Sequence, residues 1–507
     1  MMASVFLSRI IGLLREMVIA YVGGAGPEVD AYQIAFVIPE ILNHILATGF
    51  LSITFIPIFS NYLAADREDE GWNVLSIIHN TFGVALLVFI TGAVICAPWL
   101  VDLLAPGIGD PAVRAGAVRM TRIIIPAQFF FFSGGLFMAV QFAREKFLIP
   151  ALAPLIYNLC IITGGICLGS WLGMEGFSWG VLAGAFIGNF ALQYWGGARC
   201  GMHLSARFDP RHKELKKYVW LTLPLILGLT MTFSTEIFFK FFGSYLPSGS
   251  IAGLNYGMRI MMMMVGLFGQ AVGVASFPFM ARLAAQNKII EMNRLLNTTL
   301  RYLALVIPFS ALLIVLRHEV VLLIFQRGQF DEAATGLTSG ILGYLMIGAF
   351  GFAAQTVVVR GFYALQNTLL PAVFGTLSVG LSIPIYIYGM KMMGVAGVAL
   401  AISLSAVLQV FVLYGIWNYR SRNFQSREVF LFYIKMLLFG LLLWFVLKGV
   451  RHMLLIGIDA NTFTGCLVIS MITATVFAIL FLALGYGLPI KEIPEFINRL
   501  MRQKPKE

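Results

Sequence analysis

SRIIGLLRE, residues 8–16, sets two arginines and a glutamate inside a segment that is otherwise apolar from residue 2 to residue 22. The rest of the chain decides how that segment is read. Of 507 residues, 59% are hydrophobic and only 12% charged, and the mean hydropathy is +0.87, far from the mixture of a soluble domain. A helix that crosses a bilayer needs about 20 apolar residues. Fourteen segments qualify, at 2–22, 31–62, 75–104, 119–143, 148–171, 177–198, 215–243, 250–281, 299–325, 333–362, 368–390, 394–418, 429–449 and 462–486. The expected fold is therefore an all-α polytopic membrane protein with 14 transmembrane helices. The first segment carries internal charge and no small-residue cleavage site, so it is expected to persist as helix 1 and not to be removed as a signal peptide.

The net charge of +11 raises nucleic acid as a partner until the cations are placed. With the N-terminus taken as cytoplasmic, 22 Lys and Arg fall on the cytoplasmic side, 8 on the outer side and 5 within the membrane. That asymmetry is the positive-inside signature, with both termini cytoplasmic. The basic excess then reads as a topology signal facing anionic membrane lipids, and no nucleic-acid partner is expected. The five cysteines lie within or beside spanning segments without CxxC spacing, so neither a metal site nor a cofactor is expected.

One offset recurs along the chain. FIPIF (55–59) reappears as SFPFM (276–280), APGIGDPA (105–112) as QRGQFDEA (326–333), FAREKFLIPA (142–151) as YALQNTLLPA (363–372), and GMEG (173–176) as GVAG (394–397), each 221 residues apart. Four blocks in order argue for a duplicated six-helix unit. An even helix number per unit gives two parallel repeats, the arrangement in which a transporter holds substrate between halves that rock. The expected division is 1–205 for the N-lobe (helices 1–6), 206–419 for the C-lobe (helices 7–12), and 420–507 for two additional C-terminal helices with a basic tail.

A charge near the bilayer centre costs at least about 2.5–3.5 kcal/mol and normally faces protein or a water-filled cavity. Arg9 is within snorkelling reach of the surface, whereas Arg15 lies ~9 Å deeper along the helix. Glu16 is two turns from Arg9 on nearly the same face. Helix 2 opens with Asp30 and carries Glu40 and His44 at i, i+4, a spacing that fits either a buried neutral pair or a titrating one. Glu236 and Lys240 share that spacing in helix 7, where a structural ion pair is expected. Arg259 in helix 8 has no evident partner nearby in the sequence. Arginine offers a planar fork suited to phosphate and keeps its charge at any working pH. Arg9, Arg15 and Arg259 therefore point to an anionic, phosphate-bearing substrate.

These stretches, with GGAGPEVDAYQIAFVIPEIL (23–42), GMRIMMMMVGLFGQAVGVASFPFM (257–280), IFQRGQFD (324–331) and GFYALQNTLLPA (361–372), resemble the MurJ (MviN) lipid II flippases of the multidrug/oligosaccharidyl-lipid/polysaccharide exporter superfamily. The resemblance implies a monomeric, multi-pass protein of the bacterial cytoplasmic (inner) membrane that is not an enzyme. It also implies that an undecaprenyl-diphosphate-linked peptidoglycan precursor moves from the inner to the outer leaflet by alternating access. Arg9, Arg15, Arg259 and Asp30 fall on the family's cavity positions, with Glu16, Glu40, Asn43 and His44 as further substrate-binding candidates. A groove beside helices 13 and 14 is implied for the lipid tail. In helix 2 the family's arginine pair and A-E-G are replaced by LNHILATG (42–49), with Asn43, His44 and Thr48 at those places. The sodium-linked aspartate of some members is replaced by Phe239. These departures keep open a flippase for another lipid-linked glycan of exopolysaccharide or O-antigen type. A cation-coupled drug exporter, which would favour acidic cavity residues, fits less well. An enzyme would need a nucleophile, metal or nucleotide motif that the chain lacks.

Overall fold

The computed structural model describes residues 2–43, 50–227 and 229–487. Among them every regular element is helical. Among the described residues, eight helices are long and apolar enough to cross a membrane, and a ninth span arises if Glu332–Ile347 and Ala349–Ala364, bent by 46°, count as one. Other expected spans are present as helices that carry charge or are broken. Met2–Gly23 contains Arg9, Arg15 and Glu16. The segment at 177–198 passes through a π-helical stretch, Ala185–Ala191. The expected spans 368–390 and 394–418 run together as Leu369–Ser421, interrupted at Gly394 by non-helical φ 57° and ψ −131°.

The chain divides into two compact units, residues 1–252 with 327–331, and residues 253–326 with 332–507. In the first, an aromatic core joins Phe55, Phe59, Trp72, Phe132 and Phe137. Helix Ala127–Ala143 passes so close to the π-helical stretch that a Cβ on Gly134 would lie 1.6 Å from the Asn189 carbonyl oxygen. Only glycine permits that approach. Helix Leu229–Gly243 carries the expected i, i+4 pair, with Lys240 Nζ 3.2 Å from Glu236 Oε2 and the lysine side chain nearly fully buried.

In the second unit, Phe309, Phe439, Phe477 and Phe481 pack helices Ser426–Leu454 and Phe463–Gly487 onto Val306–Val315. Arg451 Nε donates to Glu319 Oε1 at 2.6 Å, and Glu319 has no exposed surface. Removing either partner of such a pair leaves an uncompensated buried charge, which is why these pairs hold helices in register. Asn297 and Asn423 exchange amide hydrogen bonds at 2.9 and 2.8 Å, tying the turn before Ser426 to helix Ile289–Leu303.

The 221-residue offset is also visible in the backbone. The left-handed residues include Asp66 and Asn287, Glu145 and Gln366, Gly173 and Gly394, Gly201 and Arg422, each pair 221 apart. Helix bounds follow it as well: the end at Ala64 matches that at Ala285, and the starts at Glu68 and Leu148 match Ile289 and Leu369.

Candidate functional site

The charged stretch of the first helix is built against helix Leu148–Leu172. Pro154 lies inside that helix, and one turn later Asn158 Nδ2 donates to the Pro154 carbonyl at 2.8 Å. The amide is thereby oriented with its oxygen free to accept from Arg15 Nη1 at 3.0 Å. Arg15 Nη2 donates to Glu16 Oε1 at 2.6 Å. Side-chain exposure is 19% for Arg15 and 5% for Glu16, so the pair is largely withdrawn from solvent. The guanidinium is thus fixed through both terminal nitrogens, while its Nε is buried without a hydrogen-bond partner among the described residues. Charge-assisted bonds of this kind are about twice as strong as neutral ones, and they hold the fork in one orientation.

Asp30 is buried in helix Pro27–Ala35. Its Oδ2 accepts from the Gly249 N–H at 2.6 Å and its Oδ1 from the Ala252 N–H at 2.7 Å. Helix Ser250–Val265 starts there, so the carboxylate satisfies N–H groups that the first turn leaves open and sits at the positive end of the helix dipole. Sequence reading placed Asp30 correctly at the head of helix 2 and missed this connection, because its partners are 219 and 222 residues away.

Two loops dock against helix ends in the same unit. Gln329 N–H donates to the Tyr21 carbonyl at 2.9 Å, and a Cβ on Gly328, which has φ +60°, would lie 2.4 Å from that carbonyl oxygen. At the equivalent place, Gly107 N–H donates to Ser244 Oγ at 3.0 Å, and a Cβ on Gly107 would lie 2.6 Å from the Ser244 carbonyl carbon. Gly107 and Gly328 are 221 apart, and so are Gly23 and Ser244.

The remaining candidates are placed as follows. Arg9 is exposed on the first helix and Glu40 half-buried on Val37–Asn43. Arg259 lies half-buried in Ser250–Val265, and it is engaged with a partner despite having none in its local sequence. His44, Thr48 and the side chain of Asn43 lie outside the described residues. Phe239 is fully buried, with Lys240 Nζ 5.4 Å from its ring centroid. Among the described residues no group of three or more His, Cys, Asp or Glu is placed to hold a metal ion. Asn158 was not anticipated. Its signal was the single amide side chain one turn after Pro154 in a helix with no charged residue.

Comparison with known proteins follows this geometry. A family model described as lipid II flippase MurJ matches residues 19–478. A probable lipid II flippase MurJ of Buchnera aphidicola subsp. Baizongia pistaciae is 28% identical over 413 residues, covering 81% of this chain and 80% of that protein. Among solved structures, a lipid II flippase MurJ in an inward closed conformation aligns with a TM-score of 0.76 at 24% identity, covering 95% of this chain and 98% of that one. An inward-facing multidrug resistance MATE family transporter of the MOP superfamily aligns at 0.69 with 15% identity, covering 83% and 96% of the two chains. The chain belongs to the lipid II flippase MurJ family.

Proposed function

We propose that this protein carries lipid II, the undecaprenyl-diphosphate-linked peptidoglycan precursor, from the inner to the outer leaflet of the bacterial inner membrane. It is an integral membrane transporter of a flippase family, not of an enzyme family. The observation that carries the proposal at this site is Arg15: a guanidinium inside a membrane helix, oriented by Asn158 and Glu16, with an Nε donor that has no hydrogen-bond partner among the described residues. An arginine costs too much in a membrane helix to be retained as filler, and its fork matches phosphate oxygens.

In this reading Arg9, Arg15 and Arg259 receive the diphosphate, and Glu16 prevents Arg15 from swinging. Asp30, Glu40, Asn43 and His44 complete the polar lining. Transport runs by alternating access in a monomer with both termini cytoplasmic, and the basic cytoplasmic side faces anionic lipids. The layout is two parallel six-helix repeats, 1–205 and 206–419, with helices 13 and 14 appended over 420–507, giving fourteen spans. Four left-handed residue pairs and two docking loops at one 221-residue offset support this layout.

Complementation of a bacterial strain depleted of its own lipid II flippase tests the proposal. Wild type is expected to restore growth, and Arg15→Ala and Arg259→Ala at equal membrane abundance are not. The altered helix 2 sequence, with Asn43, His44 and Thr48, favours one other reading, a flippase for a different undecaprenyl-diphosphate-linked glycan. Failure of an abundant wild-type chain would select it. Rescue by both mutants would remove the arginines from the mechanism.

A further inference from the structure

The second unit contains an apolar groove of about 450 Å³ between helices Val306–Val315, Glu332–Ile347 and Ser426–Leu454. Its floor is a close helix approach: a Cβ on Gly440 would stand 3.0 Å from Ile307 Cγ2. Its flanks, Ile347, Leu437 and Leu441, are 44%, 47% and 51% exposed. From Leu437 to Trp444 the groove follows about 10 Å of helix, within the ~15 Å of one leaflet's hydrocarbon. In a membrane-spanning segment, acyl chains are what lies against such a surface.

The mouth of the groove is cationic. Arg317 lines it and is exposed, and its Nη1 lies over Gly343, 2.6 Å from where a Cβ would stand. Lys448 Nζ sits 4.9 Å from the centroid of Trp444, which also lines the groove. Arg451, three residues further, is already spent on Glu319. Among the described residues no carboxylate pairs with Arg317 or Lys448. Two cations without a carboxylate partner among the described residues, one lining the apolar slot and the other over a tryptophan that lines it, match a lipid phosphate carrying net negative charge.

We propose that this groove is a binding site for an anionic diacyl phospholipid, with its phosphate between Arg317 and Lys448 and an acyl chain along Gly440. The site lies between helices 9, 10 and 13 and shares no residue with the arginines assigned to the transported diphosphate. The inference rests on the membrane placement of these helices and not on the identity of the transported lipid, so failed complementation leaves it standing.

The test is native mass spectrometry of the purified full chain titrated with phosphatidylglycerol and with phosphatidylcholine of the same acyl composition. Wild type is expected to retain phosphatidylglycerol about tenfold better, the worth of one charge-assisted contact. Arg317→Gln with Lys448→Gln is expected to erase that preference. Leu441→Trp, at a half-exposed position, fills the slot and is expected to lower retention of both lipids while keeping the cations. Equal retention of the two lipids by wild type would overturn the proposal. So would a preference that survives the double substitution, or displacement of phosphatidylglycerol from the wild type by undecaprenyl diphosphate, which would give the groove to the transported lipid's carrier.

Discussion

Residues 328–329 dock on a helix end at Tyr21 through a main-chain acceptor and Gly107, 221 residues before Gly328, docks on a helix end at Ser244 through a side-chain acceptor, while positions 30 and 251, at the same offset, differ in kind. At the docks a glycine presses against a helix end in both places. At the third pair of positions, residue 30 is aspartate and residue 251 is isoleucine. Asp30 reaches across to the start of helix Ser250–Val265. Helix Pro27–Ala35 starts from Gly26 with no side-chain cap. The duplication proposed for this chain would keep alike what backbone packing demands. Where it departs from symmetry, one side chain has taken on a task that its counterpart lacks.

Asp30→Ala is the strongest test of that asymmetry. It removes an anion that accepts two N–H groups at a buried helix start, and hydrogen bonds to charged groups contribute about 1.5–3 kcal/mol each. A loss of about 3 kcal/mol is expected, seen as a lowered melting temperature of the detergent-solubilised protein. Asp30→Asn keeps an acceptor and is expected to lose roughly half as much. If Asp30→Asn left the melting temperature unchanged, the capping argument would fall, and abolished growth rescue would leave Asp30 only its proposed place in the polar lining.

The two docks differ in one respect that mutation isolates. Gly328 has φ +60°, whereas Gly107 is not among the left-handed residues. Gly328→Ala therefore combines a left-handed penalty of about 1–2 kcal/mol with a clash against a backbone carbonyl. It is expected to destabilise by about 3 kcal/mol. Gly107→Ala meets only the clash, and overpacking alone costs about 1–3 kcal/mol, so about 2 kcal/mol is expected. Thermal melting of the two variants side by side checks the order. The reverse order would mean that the two loops are not equivalent.

Much of this was legible in the sequence because it depends on short-range pattern. The offset of 221 was readable in FIPIF and SFPFM, and the left-handed pairs at 145 and 366 and at 173 and 394 fall within the matched blocks. The pairs Asp66 with Asn287 and Gly201 with Arg422 were not readable, since an exposed loop tolerates several residue types in that conformation and leaves no shared letter. Glu236 with Lys240 followed from helix geometry alone. Arg15 with Asn158, Asp30 with Gly249, and Glu319 with Arg451 did not, because each joins residues more than a hundred apart. Local spacing told where charge enters the membrane. It did not tell which distant group makes that charge tolerable.

Ser244→Ala is the smallest of the expected effects and the finest discriminator between the docks. Ser244 Oγ accepts from the Gly107 N–H and donates to the Phe241 carbonyl at 2.7 Å, so it closes the end of helix Leu229–Gly243 and receives the loop at once. The position 221 residues earlier is Gly23, and there the loop is received two residues before it, by the Tyr21 backbone carbonyl. A backbone acceptor survives any side-chain change, whereas Ser244→Ala leaves the Gly107 N–H without its acceptor. One neutral hydrogen bond contributes about 0.5–1.5 kcal/mol, so a loss near 1 kcal/mol is expected, with amide hydrogen exchange rising at 105–110 and not at 326–331. Faster exchange at both loops would mean that the docks open together. Separate protection would make each loop its own latch, one held by a side chain and the other by the main chain.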